Sequence, residues 1–269
     1  LAAGSDGSTI RGLSIRDFAG AGLMLASSGG HTIAGNAFGL DDSGTGAAGN
    51  SLGIFIQDSH GNQIGGTTAA DRNVISGNTG VGIRIEAGNG NVIHGNYVGT
   101  DSSGTVAVGN GMAGIQISDG SSGNTVGGVL PAQSNQIAYN SGAGIAVTHD
   151  DSTGNALLGN RFHDNAGPAI DLREDGPTAN DALDADAGPN DLQNTPTIDN
   201  VIVDGANGRI RGSLSSEPNR TYRIEFFASS SSGVGVAETL LGTLNATTDG
   251  NGLATFDFIT APIAAGAWV

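Results

Sequence analysis

Two phrases near the middle of the chain bring together the side chains best suited to acid–base chemistry. "THDD" carries His149, Asp150 and Asp151, and "RFHD" carries Arg161, His163 and Asp164. An imidazole that titrates near neutrality, a carboxylate and a guanidinium are what uronate elimination or glycoside hydrolysis would need. If the two phrases face one edge, they form the best catalytic candidate in the sequence. The plainer reading is ordinary loop polarity.

A second pair of phrases, "DDSGT" and "DSSGT", carries Asp41, Asp42 and Asp101. Two carboxylates flanking a sugar could act as acid and as base or nucleophile. Stacked two layers apart, Asp42 and Asp101 would lie roughly 10 Å from each other. Both phrases are also good Asx-turn sequences, in which the carboxylate closes its own turn. That reading explains both copies without a substrate. The acid-rich stretch "DALDADAGPN" offers Asp181, Asp184, Asp186 and Asn190, which are hard oxygen donors suited to Ca²⁺. It lacks EF-hand spacing, and a solvated acidic linker is its alternative. Trp268 is the single Trp, and Tyr97 and Tyr139 each fall beside a strand–bend junction, so no aromatic platform for sugars is evident.

What must position these groups is a repeat. Gly-aliphatic-x-aliphatic recurs as "GLML", "GIFI", "GIRI", "GIQI" and "GIAV", with a weaker "AIDL". Leu23, Ile54, Ile83, Ile115, Ile145 and Ile170 mark its first aliphatic position, about thirty residues apart. Ile10, Ile33, Ile64, Ile93, Val126 and Leu157 keep step with it. A third, less regular series runs through Ile15, Phe38, Ile75, Val98, Ile137 and Phe162. Each period therefore holds three short extended segments with one apolar face. None is long enough to stand alone. Coiled so that each stacks on its copy one turn along, they bury one continuous aliphatic column. The frequent Gly-Asn pairs suit the bends: glycine takes positive φ, and asparagine tolerates the bend and can bond to the asparagine above it.

The Asn-x-Ile-x-Gly-Asn, Gly-Ile-x-Ile and Gly-Thr-Asp-x-x-Gly-Thr phrases resemble those of bacterial right-handed parallel β-helix repeat proteins of the pectate-lyase-like superfold. The resemblance covers roughly residues 1–175. It implies an all-β fold of about six rungs, three strands per rung, and a rod roughly 29 Å long. It does not imply one activity, because that fold hosts lyases, hydrolases, epimerases, adhesins and inert stalks. The Gly-His-Gly and Arg-x-Lys signatures of its pectate-degrading members are missing, and the chain contains no Lys.

After Leu172 the period ends. Residues 176–196 read as an acidic Asp/Pro/Gly linker. Residues 197–269 hold five alternating stretches, "TIDNVIVDG", "GRIRGSLSS", "RTYRIEFFAS", "ETLLGTLNATTD" and "LATFDFITA", which predict a small antiparallel β-sandwich. "TTDGNGLATF" resembles the strand-turn-strand of bacterial immunoglobulin-like modules, in which further strands would follow, so the module reads as cut short. Leu1 to Ser8 are too few to cap the coil. Both ends suggest a region of a larger surface protein.

The 269 residues include 47 Gly and no Cys, and carry a formal charge of −16. Disulfides and thiolate metal sites are excluded. Nucleic acid and anionic lipid are poor partners for such a surface, and no apolar run is long enough to span a bilayer. The leading expectation is a non-catalytic, secreted or cell-surface bacterial scaffold or adhesin, Ca²⁺-stabilised, with polysaccharide or a cell-surface component as partner. The rivals are a polysaccharide lyase, hydrolase or epimerase working in a groove along the helix, and a carbohydrate-binding module without turnover.

Overall fold

A computed structural model describes residues 1–203, 207–233, 235–264 and 266–269. Residues 1–172 form three parallel sheets of six strands each. The first sheet stacks Thr9–Arg11, Thr32–Ala34, Gln63–Gly65, Val92–His94, Thr125–Gly127 and Ala156–Leu158. The second stacks Ser14–Ile15, Ala37–Phe38, Val74–Ile75, Tyr97–Val98, Gln136–Ala138 and Arg161–His163. The third stacks Ala21–Ala26, Leu52–Gln57, Ile83–Glu86, Ile115–Ser118, Ile145–Val147 and Ile170–Leu172. Successive strands visit the sheets in turn, so the chain coils through six rungs as the repeat predicts.

The register is the one the aliphatic spacing demands. Leu23, Ile54, Ile83, Ile115, Ile145 and Ile170 pair one above another in a single file. Two residues on, Leu25, Ile56, Ile85, Ile117, Val147 and Leu172 form a second file. The other two sheets each add one file, through Ile64 and Ile93 and through Ile75 and Val98. In the middle rungs these side chains are fully buried, and only the end rungs leave members such as Ile10, Ile15, Leu157 and Leu172 partly covered. Each buried Ile contributes about 1.5–3 kcal/mol relative to exposure. Strands of two to six residues are thereby held by burial along the axis rather than by their own length.

The bends are held by asparagine. Three ladders run along the rod, one per corner: Asn36-73-96-135-160, Asn50-78-110-140-165 and Asn62-91-124-155-190. In the second, Asn110 accepts at Oδ1 from the backbone N–H of Asn78 at 3.2 Å and from its Nδ2 at 2.9 Å. Asn110 then donates to Asn140 in the same two ways. Its other Nδ2 hydrogen goes back to the Ile75 carbonyl at 3.0 Å. The first and third ladders repeat this pattern. A buried amide needs partners on every side, and stacking identical amides at the rung spacing supplies them. Gly95, at φ +69, precedes Asn96 in the left-handed conformation that the bend requires.

Residues 197–269 form the expected sandwich. Thr197–Val203, Gly208–Ser215 and Leu253–Thr260 make one antiparallel sheet, and Thr221–Ala228 and Thr239–Thr247 the other. Ile210, Ile224, Phe226, Phe256 and Ile263 fill the space between them. The end of the "TIDNVIVDG" stretch, Asp204 and Gly205, lies outside the described residues.

The segment read as a linker does more than connect. Residues 176–196 fold back over the last rung in two short 3₁₀ turns, Ala182–Asp184 and Pro189–Leu192, and bury Pro189 and Leu192. The sandwich then docks on the same end. Phe162 and Ala237 exchange backbone hydrogen bonds of 2.9 and 2.8 Å, so residue 237 extends the second sheet. Gly159 donates to Glu225, and Arg161 to the Glu238 carbonyl. These contacts come one or two residues at a time and follow no period. At the other end, Leu1 packs on the core and its amino group donates to the Met24 carbonyl.

Candidate functional site

Asp41 and Asp101 occupy equivalent places in two loops that fold back over the outside of the second sheet. Each loop closes with a short antiparallel bridge, Leu40 to Ala47 and Thr100 to Ala107. Beneath them Leu40, Val74, Val108 and Tyr97 form a small outer core. Asp41 Oδ1 accepts from the Ser43 hydroxyl at 2.6 Å and from the amides of Ser43 and Gly46. Asp101 Oδ1 accepts from the Ser103 hydroxyl at 2.7 Å and from the amides of Thr105 and Val106. At Asp41 the Ser43 hydroxyl is the largest influence, and with the amides it holds the carboxyl below the usual range despite some desolvation. At Asp101 burial alone would raise it, but Ser103 and the amides of Val106, Thr105 and Ser103 together bring it down. Both carboxylates close their own loop, each through the hydroxyl two residues on and the amide five residues on. Asp42, which has Ser102 as its counterpart, instead pairs with Arg16 at 2.6 Å.

The structure separates "THDD" from "RFHD". His149 lies at the bend between the third and first sheets, and His163 ends a strand of the second, so they sit at different corners of the rung. The expected common edge does not form, because a short rung turns a full corner between the phrases. His149 stands above Asp119, in a file of left-handed residues that also holds Ser27, Asp58 and Ala87. Its Nε2 lies 3.4 Å from the Asp119 carboxylate one rung away. Asp150 lies 3.7 Å from Arg173. Asp151 sits over Gly120.

Around His163 a tighter group forms. Its Nδ1 lies 2.9 Å from Asp164, its Nε2 lies 3.3 Å from the Gln136 amide, and Tyr139 meets its ring edge-on at 5.1 Å. Burial is the main cause raising the Tyr139 phenol, with nearby Asp164 adding to it. Asp164 takes the Nδ1–H, so Nε2 is left to accept from Gln136, and both imidazole nitrogens are committed. Arg161 points away, to the Glu238 carbonyl. Tyr139 was not singled out from the sequence as a site residue; its place beside an asparagine of the ladder was the available signal.

Asp181, Asp184 and Asp186 do come together, with one oxygen of each within 4.8 Å of the others. Asp184 Oδ2 accepts from Gln193 at 2.8 Å and from the Ser216 hydroxyl of the sandwich, and its Oδ1 from the Asn194 amide at 2.9 Å. Asp181 accepts from the Ala185 amide. Three carboxylates at this spacing fit a hard cation. Asn190 does not join them. Its Oδ1 accepts from Asn155 at 2.9 and 3.3 Å and its Nδ2 returns to the Asn155 carbonyl, so it is the last step of the third ladder. The even run of asparagines, rather than the nearby acids, decides its role.

The outer face of the third sheet carries residues that the sequence reading passed over. The x of each Gly-aliphatic-x-aliphatic phrase points outward: Met24, Phe55, Arg84, Gln116, Ala146 and Asp171 stack in register. Arg84 pairs with Glu86 and lies 5.9 Å from the Phe55 ring, and Gln116 donates to Glu174 at 2.8 Å across the buried Ala146. Asp171 is 5% exposed and accepts from the Gly176 amide. Burial, then the Asp175 charge, push its carboxyl up, against the pull of neighbouring amides. The variation at x between neighbours that stay aliphatic was the signal that marks this face.

His94 is a buried titratable group outside these clusters, as is His31. His94 points outward from the first sheet, between Gly65 and Gly127, and is 8% exposed. Neither ring nitrogen has a hydrogen-bond partner among the described residues. Burial holds its imidazole below the usual range, although Asp71 pulls the other way.

A family model described as a right handed beta helix region matches residues 1–183. No curated protein matches the chain.

Proposed function

We propose, from the premise that this chain belongs to the right handed beta helix family, that it is a non-catalytic scaffold of a bacterial cell surface or secretion, an adhesin or stalk element. The β-solenoid itself is what the family and the stacked sheets establish. One observation carries the rest of the reading. Asp41 and Asp101, the repeated carboxylates, are spent in the same way on closing their own turns. Groups used identically in two rungs serve the rung. The His163 cluster supports this, since its imidazole is hydrogen-bonded on both sides.

Ca²⁺ at Asp181, Asp184 and Asp186 would join the capping segment to the sandwich, because Asp184 already reaches Ser216. The acidic surface favours uncharged or cation-bridged partners over nucleic acid. Among the described residues no helix is long and apolar enough to cross a membrane. A second reading, a carbohydrate-binding flank, rests on the non-repeating file of Phe55, Arg84 and Gln116 along the third sheet.

The test is incubation with neutral and acidic polysaccharides with and without Ca²⁺, scoring new chain ends, beside melting curves with Ca²⁺ and with chelator. No turnover, and a Ca²⁺-dependent rise in Tm lost in Asp181→Asn/Asp186→Asn, is the expected result. Turnover that His163→Ala abolishes would overturn the scaffold reading. Melting indifferent to Ca²⁺ would remove the metal alone.

A further inference from the structure

The far end of the third sheet is unfinished. Ile170–Leu172 is its terminal strand, paired on one side with Ile145–Val147 and on its outer side with no strand among the described residues. The second sheet ends differently: there Ala237 pairs with Phe162 and continues the ladder. Beside Ile170–Leu172 the fold leaves a cleft of about 570 Å³. Leu157, Ile170, Leu172, Pro177, Thr195 and Pro196 are among the residues that line it. Ile170 is 40% exposed there, whereas its counterparts Ile83, Ile115 and Ile145 are fully buried by the rung above them.

The polar groups on the cleft wall already have partners. Asn190 completes its ladder, Asn194 donates to the Asp181 and Ser215 carbonyls, and Thr178 donates to the Leu172 carbonyl. What remains unmet is apolar burial over Ile170 and Leu172, beside an edge that pairs with no further strand among the described residues and of which the Leu172 carbonyl alone has a side-chain donor, Thr178. The register states what meets both needs. The two aliphatic files end at Ile170 and Leu172, so a segment pairing next to them places aliphatic side chains at alternate positions over each. The residue between them falls beside Asp171 on the outer face, near Glu174 and Asp175. Arg173, next in the chain to Leu172, is turned to the Ala187 carbonyl and toward Asp150. That middle position favours a basic side chain.

We propose that this cleft receives an extended peptide of the pattern aliphatic–basic–aliphatic, which adds to Ile170–Leu172 as a seventh strand of the third sheet. Such strand addition draws affinity from main-chain bonds and selectivity from alternate side chains. Ala237 already pairs in this way with the last strand of the neighbouring sheet. The net charge of −16 draws a basic segment toward it.

The probe is a fluorescein-labelled peptide Val-Gly-Ile-Arg-Ile-Glu, a copy of residues 81–86, titrated with the full chain and read by anisotropy. Saturable binding is expected, weakened at least about tenfold by Ile170→Asp. Exchanging the peptide Arg for Glu should weaken it as well. Amide exchange on the wild-type chain gives an independent reading, in which added peptide slows Ile170 and Leu172 and leaves Ile83 unchanged. Equal binding by a folded Ile170→Asp variant overturns the proposal, as does a peptide that leaves the Ile170 and Leu172 amides unprotected. A dimer that Ile170→Asp dissolves and the peptide fails to displace assigns the edge to a second copy of the chain, and overturns it too.

Discussion

Replacing Asn110 by Ala tests the ladders at their most buried point. Asn110 is fully buried and makes four side-chain bonds along the axis: two accepted from Asn78, one donated to Asn140 and one to the Ile75 carbonyl. Alanine removes all four. Asn140 Oδ1 keeps the backbone N–H of residue 110, and the Ile75 carbonyl loses one donor. The two N–H groups of Asn78, however, are stranded without water. A buried polar group left unpaired costs about 1–3 kcal/mol, so the loss comes to about 2–6 kcal/mol, a large share of the ~5–15 kcal/mol typical of a folded domain. Asn165 makes the same kind of bonds at the end of the ladder, where it is half-buried and water can replace it. Its replacement by Ala should cost about 1 kcal/mol. Asn110→Asp keeps the shape but loses both donated hydrogens, and should be at least as damaging as Ala. Urea unfolding followed by circular dichroism measures all three, with the m-value checked for constancy. Asn110→Ala costing no more than Asn165→Ala would refute the reasoning.

Three further outcomes are expected. Burial holds the imidazoles of His31 and His94 below their ordinary value; the unfolded chain therefore binds more protons, and stability should fall as pH drops below about 6.5. Urea midpoints between pH 7.5 and 5 measure this, and His94→Gln should flatten the slope. Asp171 has a raised pKa, so its ionisation opposes folding at neutral pH; Asp171→Asn should raise Tm at pH 7 by more than at pH 4, with the Gly176 bond kept. Ala237→Pro removes the N–H donated to Phe162; proteolysis should then release the sandwich faster, while the melting of a buried-rung probe such as Ile83 changes little.

Much of this architecture is legible in the residues themselves. Alternating aliphatics every thirty residues leave one solution, in which Ile54, Ile83 and Ile115 share a file, because strands this short gain burial only from the next turn. The Gly-Asn pairs point to ladders for a similar reason: an amide repeated at each bend has its own copy as nearest partner. "DSSGT" shows its role because the turn and the carboxylate that closes it lie within five residues. The misses have separate causes. Ala237 and Glu174 act through isolated long-range contacts with Phe162 and Gln116, and one contact has no period to detect; Asn190 does continue the third asparagine file, and the surrounding acids masked that. His149 and His163 looked adjacent because sequence distance is short across a corner, while the rung turns between them. Arg84 and Gln116 were hidden in plain view, at the variable position of the phrase whose constant positions set the fold.

The claim that the repeated polar groups serve the rungs, and not a reaction, is tested most directly by an NMR titration of the Asp101 carboxyl carbon. Held by Ser103, Thr105 and Val106, it should titrate below the ordinary aspartate range. A midpoint at or above that range would mark a carboxyl free to take up a proton, and would contradict the scaffold account.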